Sequence, residues 1–152
     1  MSFKTETLEP SNNHSETILS DITQFLFTHL GKYGDPANDI RKAINYALST
    51  EQGKGGRVLA MRDEAKDNQL IGAVVLNETE MEDYMPENIL VYIAVHEGYR
   101  GAGIGKKLVE TALKMVNGSV ALHVEHDNPA KRLYERLGFT NKYLEMRWQA
   151  SN

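Results

Sequence analysis

The chain has 152 residues, a net charge of −4 and no cysteine. This length suits one domain, predicted over residues 1–152, that can bury a core without covalent staples. The lack of cysteine excludes disulfides, thiol nucleophiles and cysteine metal sites. The acidic balance argues against nonspecific nucleic-acid binding and mildly favours a cationic partner.

The first residues and the hydropathy pattern predict a cytoplasmic protein that does not associate with membranes. The chain opens on Met-Ser-Phe-Lys-Thr-Glu, and no apolar segment follows a basic start, so no secretory signal is predicted. No window approaches the roughly 20 apolar residues of a membrane-spanning helix. The five histidines are not spaced to share one helical face, so we predict no metal site.

Two amphipathic helices are predicted in the first fifty residues. The first is predicted to be capped by Asn13 and to end at Gly31. The second is predicted to be capped by Asp35, with Pro36 in the first helical position. Their apolar positions recur at helical spacing and should be buried: Ile18, Ile22, Phe25, Leu26, Leu30, Ile40, Ala43, Ile44, Ala47 and Leu48.

Four strands are predicted before the glycine-rich stretch that begins near residue 100. A short first strand is predicted at residues 3–9, ahead of the helices. Val58–Met61 and Leu70–Leu76 are apolar runs separated by a polar turn, and Ile89–Val95 follows an acidic loop. Short links between the last three strands predict an antiparallel arrangement.

The pattern then changes to strand, helix and strand. Ile89–Val95 leads through a glycine-rich turn into a helix that should stop at Asn117-Gly118, and Ser119–Val124 reads as the next strand. Such a unit predicts two parallel strands joined by a right-handed crossover. A helix at residues 129–137 and a final strand at Lys142–Trp148 are predicted to close the chain.

The strongest local motif is the stretch YRGAGIGKK, which begins at Tyr99, between a predicted strand and a predicted helix. Three glycines at every second position remove side chains, so that backbone N–H groups can approach an anion. The helix N-terminus adds partial positive charge, and Arg100, Lys106 and Lys107 add full charges. The motif therefore predicts a diphosphate cradle, although a flexible turn before a solvated helix would have a similar sequence.

Two familiar phosphate loops do not fit. A Walker-type loop needs glycine six residues before the lysine and a serine or threonine after it, but Arg100 and Lys107 occupy those positions. A dinucleotide fingerprint needs G-x-G-x-x-G directly after a strand, with a second half-sheet to follow. Here the spacing is G-x-G-x-G, and only about fifty residues remain.

A longer stretch resembles a known family. The sequence ILVYIAVHEGYRGAGIGKKLVETAL, followed by LHVEHDNPAKRLYERLGF, is similar to the central part of the GNAT acetyltransferase superfamily over about residues 89–139. The resemblance implies the GNAT fold, an α/β (α+β) architecture. That fold has a mixed, mostly antiparallel sheet, a parallel β-α-β cofactor-binding unit, and helices on both faces.

The resemblance also implies the cosubstrate acetyl-CoA and the residues that bind it. The CoA diphosphate would be held through backbone N–H groups of Arg100, Gly101, Ala102, Gly103, Ile104, Gly105 and Lys106. The pantetheine arm would pair with Ile93, Ala94 and Val95 like an added strand. Asn128 corresponds to a CoA-contacting asparagine of the family, and Tyr134 to the tyrosine near the CoA sulfur.

Acetyl transfer to an amine needs an oxyanion donor, an acid and a base. A backbone N–H at the end of strand Ile89–Val95 would supply the first. Tyr134 is predicted to protonate the departing thiolate, although without the resemblance a packing role in its helix would be the favoured interpretation. The resemblance implies that His123 is the general base, because some family members have a glutamate in this role at the matching position. Glu125, on the same face of the strand, is the reserve candidate for the base.

The acceptor is the least determined partner. An acidic loop before Ile89 could attract an amine or be a solvated hairpin, and Tyr33 lines the acceptor pocket if the family layout holds. The short C-terminus implies an acceptor site that is open or completed by another subunit in a homodimer. The leading hypothesis is thus an N-acetyltransferase for a primary amine of a small molecule or peptide. The alternative is a CoA-binding sensor or regulatory module of the same fold without turnover.

Overall fold

Five strands form one sheet in chain order in the computed structural model, which describes residues 2–151. The strands are β1 (Phe3–Leu8), β2 (Gly56–Asp63), β3 (Gln69–Glu78), β4 (Asn88–Val95) and β5 (Val120–Ala121). The helices are α1 (Glu16–Leu30), α2 (Ala37–Ala47), α3 (Ile104–Met115) and α4 (Ala130–Arg136). Neighbouring strands are antiparallel except β4 and β5, which are parallel. The predicted mixed, mostly antiparallel sheet with one β-α-β unit is confirmed.

Both faces of the sheet are covered by helices. Successive strand residues point to opposite faces, and the central strands are apolar in both directions because each face packs on helices. One face carries the α1 and α2 side of the core: Leu8, Ile22, Leu26, Ile40, Ile44, Val58, Ala60, Ala73 and Val75. The other carries the α3 and α4 side: Leu59, Met61, Val74, Leu76, Leu90, Ile104, Leu108, Val109, Ala112 and Tyr134. None of the helices within residues 2–151 has both the length and the hydrophobicity needed to cross a bilayer.

The predicted helix stripes are confirmed, but both predicted N-caps are wrong. The cap of α1 is Ser15, whose hydroxyl accepts a hydrogen bond from the backbone N–H of Ile18, rather than Asn13. The cap position of α2 is Pro36, which has no side chain for capping, and Asp35 instead accepts a hydrogen bond from Tyr92. A cap depends on backbone geometry just before the helix, and neighbouring polar residues compete for it.

The β4–β5 pairing is much shorter than predicted. Only Asn88 with Val120 and Ile89 with Ala121 are partners, so the prediction of a strand over Ser119–Val124 is wrong beyond Ala121. Leu122 and Val124 still pack against the α3/α4 side of the core, as their spacing indicated. Side-chain packing therefore positions residues 122–124, although they form no strand pairing with β4.

The predicted final strand is also wrong. Residues 142–148 form no strand, and Tyr143, Leu144, Met146 and Trp148 are 78–91% exposed. Their alternation with charged residues is typical of a strand, but alternation alone cannot satisfy backbone hydrogen bonds. The segment lacks a pairing partner within residues 2–151.

Gly72 allows α3 to lie close to the sheet. A Cβ at this position would be 2.6 Å from Leu108 Cδ1 and 3.3 Å from Ile104 Cγ2. We expect Gly72→Ala to lower the free energy of unfolding by about 1–3 kcal/mol, because overpacking displaces the helix. Urea denaturation measures this change. Gly98→Ala is the control, since its Cβ would be no closer than 3.4 Å to other atoms, and equal stability of both variants would contradict the prediction.

Candidate active site

The site begins at the open edge of β4. We define this edge as the side of residues 90–95 that faces away from β3. The backbone N–H of His96 donates to Ile71 O on the β3 side at 2.8 Å. Backbone groups alternate along a strand, so Ala94 also bonds toward β3 while Ile93 and Val95 direct their N–H and C=O groups to the open edge. Two of the three predicted pantetheine contacts therefore have free backbone groups.

A β-bulge lies where the open edge begins. Tyr92 is opposite Val75 and Leu90 is opposite Leu76, so Val91 is an extra residue in β4. A bulge bends the strand and ends regular pairing. The bulge and the short β5 together end the pairing of the two parallel strands after Ile89.

The glycine loop, residues 100–106, follows at the end of β4. Gly101 and Gly103 have φ of 86° and 79°, values that favour glycine, and Gly103 caps α3. Within residues 2–151, no hydrogen bond uses the backbone N–H of any residue from Gly101 to Lys106, and the first helical bond is Lys107 N to Gly103 O. A Cβ at Gly101 or Gly103 would meet no atom within 4 Å, so the loop faces open space.

Three contacts position this loop. The Tyr99 hydroxyl donates to Asp63 Oδ2 at 2.6 Å, which ties the loop to the end of β2 and raises the pKa of Tyr99. His96 Nδ1 accepts from Gly98 N at 3.0 Å. The Arg100 guanidinium donates to His29 O at the end of α1 at 3.0 Å. The loop is thus attached to both sides of the β4 terminus.

Positive charge surrounds the free N–H groups. The side chains of Arg100, Lys106 and Lys107 are exposed, and none of them forms an ion pair within the described residues. The N-terminus of α3 adds its partial charge at the same place. Backbone donors, a helix terminus and unpaired cations are the combination that binds a diphosphate.

Tyr134 lies on α4 and is 8% exposed, in the core on the α3/α4 side. Its ring contacts Phe139 edge-on, with ring centroids 5.9 Å apart. Burial raises the pKa of Tyr134 to about 12. The hydroxyl makes no hydrogen bond in the part of the chain that the structure describes. Tyr134 therefore keeps its proton near neutral pH and has a donor available.

The remaining predicted residues lie between β5 and α4. Asn128 Oδ1 accepts from Ala130 N at 2.9 Å, so Asn128 helps to cap α4. His123 is exposed and stands between Leu122 and Val124, whose side chains are directed into the core. Glu125 is also exposed. These positions leave both base candidates accessible.

The turn between α1 and α2, residues 31–36, bridges the separated strands. On one side Asp35 Oδ2 accepts from the Tyr92 hydroxyl of β4 at 2.5 Å. On the other side the Tyr33 hydroxyl donates to Asp127 O, in the segment between β5 and α4, at 3.1 Å. The turn therefore crosses the gap between β4 and β5 on the α1/α2 face.

The acidic loop lies at the other end of β4, where β4 and β5 remain paired. A cavity of about 300 Å³ there is lined by Glu78, Glu80, Glu82, Glu87 and Asn117, among others. Glu87 accepts a hydrogen bond from Ser119 N at 3.0 Å. Eight strand residues separate this loop from the segment leading to the glycine loop.

Sequence reasoning missed the contacts that connect distant segments. Nothing near Asp35, Asp63 or His29 in the chain indicates a site, because their partners are 57, 36 and 71 residues away. The only signal was Tyr92, a lone hydroxyl in an otherwise apolar strand.

Comparison with known proteins gives the same family as the sequence resemblance. Residues 54–141 match the family model described as Acetyltransferase (GNAT) domain. The 5-NmdU N-acetyltransferase of Pseudomonas phage PaMx11 is 39% identical over 57 residues, which are 36% of this chain and 41% of that protein. The chain thus matches less than half the length of this relative.

Solved structures show the same fold. The NatC complex bound to Gag peptide and CoA has a TM-score of 0.70 at 23% identity, covering 92% of this chain and 86% of that one. The aminoglycoside N-acetyltransferase AAC(6')-Iy in complex with CoA has a TM-score of 0.67 at 14% identity, covering 99% and 97%. The ribosomal-protein-alanine N-acetyltransferase of Brucella melitensis biovar Abortus 2308 has a TM-score of 0.64 at 16% identity, covering 99% and 100%.

The structural likeness and the family match agree on the same elements. The matched segment runs from the turn before β2 to the residues after α4, so it includes the open edge, the glycine loop and Tyr134. It also covers more than half of the 152 residues. The chain therefore belongs to the GNAT acetyltransferase family.

Proposed function

We propose that the protein transfers the acetyl group of acetyl-CoA to a primary amine within a ternary complex. The observation that carries this proposal is a set of six consecutive backbone N–H groups, Gly101 to Lys106, that have no partner within residues 2–151 and lie at the end of a strand with an open edge. The relative from Pseudomonas phage PaMx11 is an N-acetyltransferase, which supports nitrogen as the acceptor atom.

The described residues fit acetyl-CoA in two places. The N–H groups of the glycine loop, the α3 N-terminus, and Arg100 and Lys106, which form no ion pair among the described residues, suit a diphosphate. The N–H and C=O groups that Ile93 and Val95 direct outward suit the amide-containing pantetheine arm, which would pair like an added strand. Asn128, beside the gap, is the further candidate for contacting the cosubstrate.

Acetyl-CoA supplies a thioester: the amine nitrogen bonds to the acetyl carbon, the carbon–sulfur bond breaks, and sulfur leaves as a thiolate. A backbone N–H on the open edge stabilises negative charge on the carbonyl oxygen. The Tyr134 hydroxyl gives its proton to the sulfur. His123, or in reserve Glu125, takes the proton that the amine loses, directly or through water.

Thermal unfolding tests the cosubstrate. At about 100 times its dissociation constant, a ligand stabilises the folded state by roughly 2.7 kcal/mol, which for a chain of this size raises Tm by roughly 5–11 °C. We expect this rise with acetyl-CoA and not with NADH or ATP. A rise with NADH or ATP instead, or no rise at all, would contradict the cradle assignment.

Turnover then distinguishes an enzyme from a sensor. Thiol release from acetyl-CoA that requires an added amine, with the acetylated amine identified by mass spectrometry, supports the transferase. A full thermal shift with acetyl-CoA but no thiol release across an amine panel favours the CoA-binding sensor.

A further inference from the structure

The hydrogen-bonded pair Asp35 and Tyr92 has a position that the proposed roles above do not use. Tyr92 projects from β4 to the α1/α2 face, where it packs against the core and is half-buried. Asp35 is exposed in the turn that crosses the gap. Tyr134 belongs to the opposite face of the sheet. The two faces of the gap therefore carry different chemistry: a proton donor on one and a carboxylate on the other.

The pair borders the open edge directly. Tyr92 immediately precedes Ile93, the first residue after the bulge to direct its backbone groups outward. The hydrogen bonds from Tyr92 to Asp35 and from Tyr33 to Asp127 hold the turn on both sides of the gap. A molecule that approaches Ile93 from the α1/α2 face therefore comes close to Asp35 and Tyr92.

Asp35 and Tyr92 can each accept a further hydrogen bond. Tyr92 uses Asp35 Oδ2, and Asp35 Oδ1 has no partner within residues 2–151. Burial, together with the Asp35 and Asp39 carboxylates, raises the pKa of Tyr92 well above its usual range. The phenol therefore stays neutral and remains a donor to Asp35, while its oxygen can still accept.

We propose that Asp35 and Tyr92 form the subsite that recognises the acceptor as a protonated primary amine. An ammonium group carries three N–H donors, which match Asp35 Oδ1 and the Tyr92 oxygen at the same time. A carboxylate or phosphate at this place would meet like charge. The pair thus selects cationic acceptors and holds them at the open edge before His123 or Glu125 removes the proton.

This inference rests on the proposed transferase function, and it assigns recognition rather than proton transfer. Lys32 is the nearby cation that could oppose it, but its ammonium lies over the Tyr33 ring at 5.0 Å and 3.8 Å from Asp127. Asp39, one turn into α2, adds negative charge on the same side and pairs with Lys42 at 3.9 Å. Asp39 therefore serves as the matched control carboxylate.

The test compares Asp35→Asn with Asp39→Asn in acetyl-transfer assays. The acceptor probes are butylamine, spermidine and a hexapeptide with a free alanine N-terminus. Hydrogen bonds to charged groups contribute about tenfold or more to affinity, so Asp35→Asn should raise KM for the amine by at least about tenfold. KM for acetyl-CoA and Tm should stay near the wild-type values. Asp39→Asn removes a carboxylate that forms no hydrogen bond with Tyr92, so it should raise the amine KM far less than Asp35→Asn does. Asp35→Glu should restore part of the amine affinity.

A purely structural role for the pair predicts a different result. If Asp35 only holds the turn, its loss lowers Tm or shifts both KM values together, and the subsite assignment is overturned. Unchanged amine KM in Asp35→Asn overturns it as well. Tyr92→Phe keeps the carboxylate and should raise the amine KM less than Asp35→Asn does.

Calorimetry separates this inference from the transferase proposal. The same three amines are titrated into wild type and Asp35→Asn, each saturated with CoA. Binding that is lost only in Asp35→Asn supports the subsite even if no acetyl transfer occurs. No binding to wild type by any probe, or equal binding to both proteins, rejects the subsite even if transfer is observed.

Discussion

Gly103→Asp is expected to weaken acetyl-CoA binding about a hundredfold. The new carboxylate would stand at the N-terminus of α3, among the N–H groups that face open space, and like charges placed together cost several kcal/mol. Isothermal titration calorimetry with acetyl-CoA measures the loss. Tm without ligand should fall by a similar, modest amount in Gly103→Asp and in its asparagine control, because a φ of 79° favours glycine although a Cβ at this position meets no atom within 4 Å.

Gly103→Asn is the matched control. Asparagine has the same shape as aspartate and tolerates a left-handed backbone about as well, so it keeps the bulk and the φ of 79° but not the charge. It should lose only a small part of the affinity. Equal weakening by both variants would assign the effect to bulk alone, and unchanged affinity in Gly103→Asp would mean that the glycine loop does not hold the diphosphate.

Tyr134→Phe is expected to lower kcat about a hundredfold or more while acetyl-CoA affinity stays the same. Positioned general acids contribute typically 10²–10⁴-fold to rate. Phenylalanine fills the same buried space, and the hydroxyl makes no hydrogen bond within residues 2–151, so the fold should be retained. Steady-state kinetics with a saturating amine measures the rate, and calorimetry measures the affinity.

The pH profile gives a second test of the Tyr134 assignment. Its pKa of about 12 lies above the usual 10, so the phenol holds its proton throughout pH 7–10. With a saturating amine, kcat should therefore not fall on the alkaline side before about pH 11. The exposed Tyr143 is the control position, and Tyr143→Phe should behave as wild type. Turnover of Tyr134→Phe equal to wild type would remove Tyr134 from the mechanism.

These two variants act on separate parts of the proposed function. Gly103→Asp acts on cosubstrate binding at the N-terminus of α3. Tyr134→Phe acts on the chemical step through a side chain of α4. In a protein that binds acetyl-CoA only as a sensor, Gly103→Asp would still lower the affinity for acetyl-CoA. Such a protein has no turnover, so Tyr134→Phe would have no kcat to lower. The pair of results therefore separates binding from catalysis more sharply than either alone.

The sequence predicted the parts of the fold that depend on local patterns. Ile22, Leu26, Ile40 and Ile44 are fully buried because helical spacing alone places them on one stripe. The glycine loop was predicted from three glycines at alternate positions, which leave the backbone without side chains, and the structure adds that Gly101 and Gly103 have positive φ. Two predicted boundaries failed, at Val124 and at residues 142–148, because a strand exists only when another strand pairs with it.

By itself the sequence determined the helices, the apolar strands, the glycine-rich loop and, through its motifs, the family. Each of these follows from residues close together in the chain, whose spacing has direct physical consequences. Only the tertiary structure decided where β4 and β5 part, how the turn crosses the gap, and that Asp35 meets Tyr92 across 57 positions. The physical reason is that hydrogen-bond partners and sheet edges are settled by packing between distant segments, which local patterns do not record.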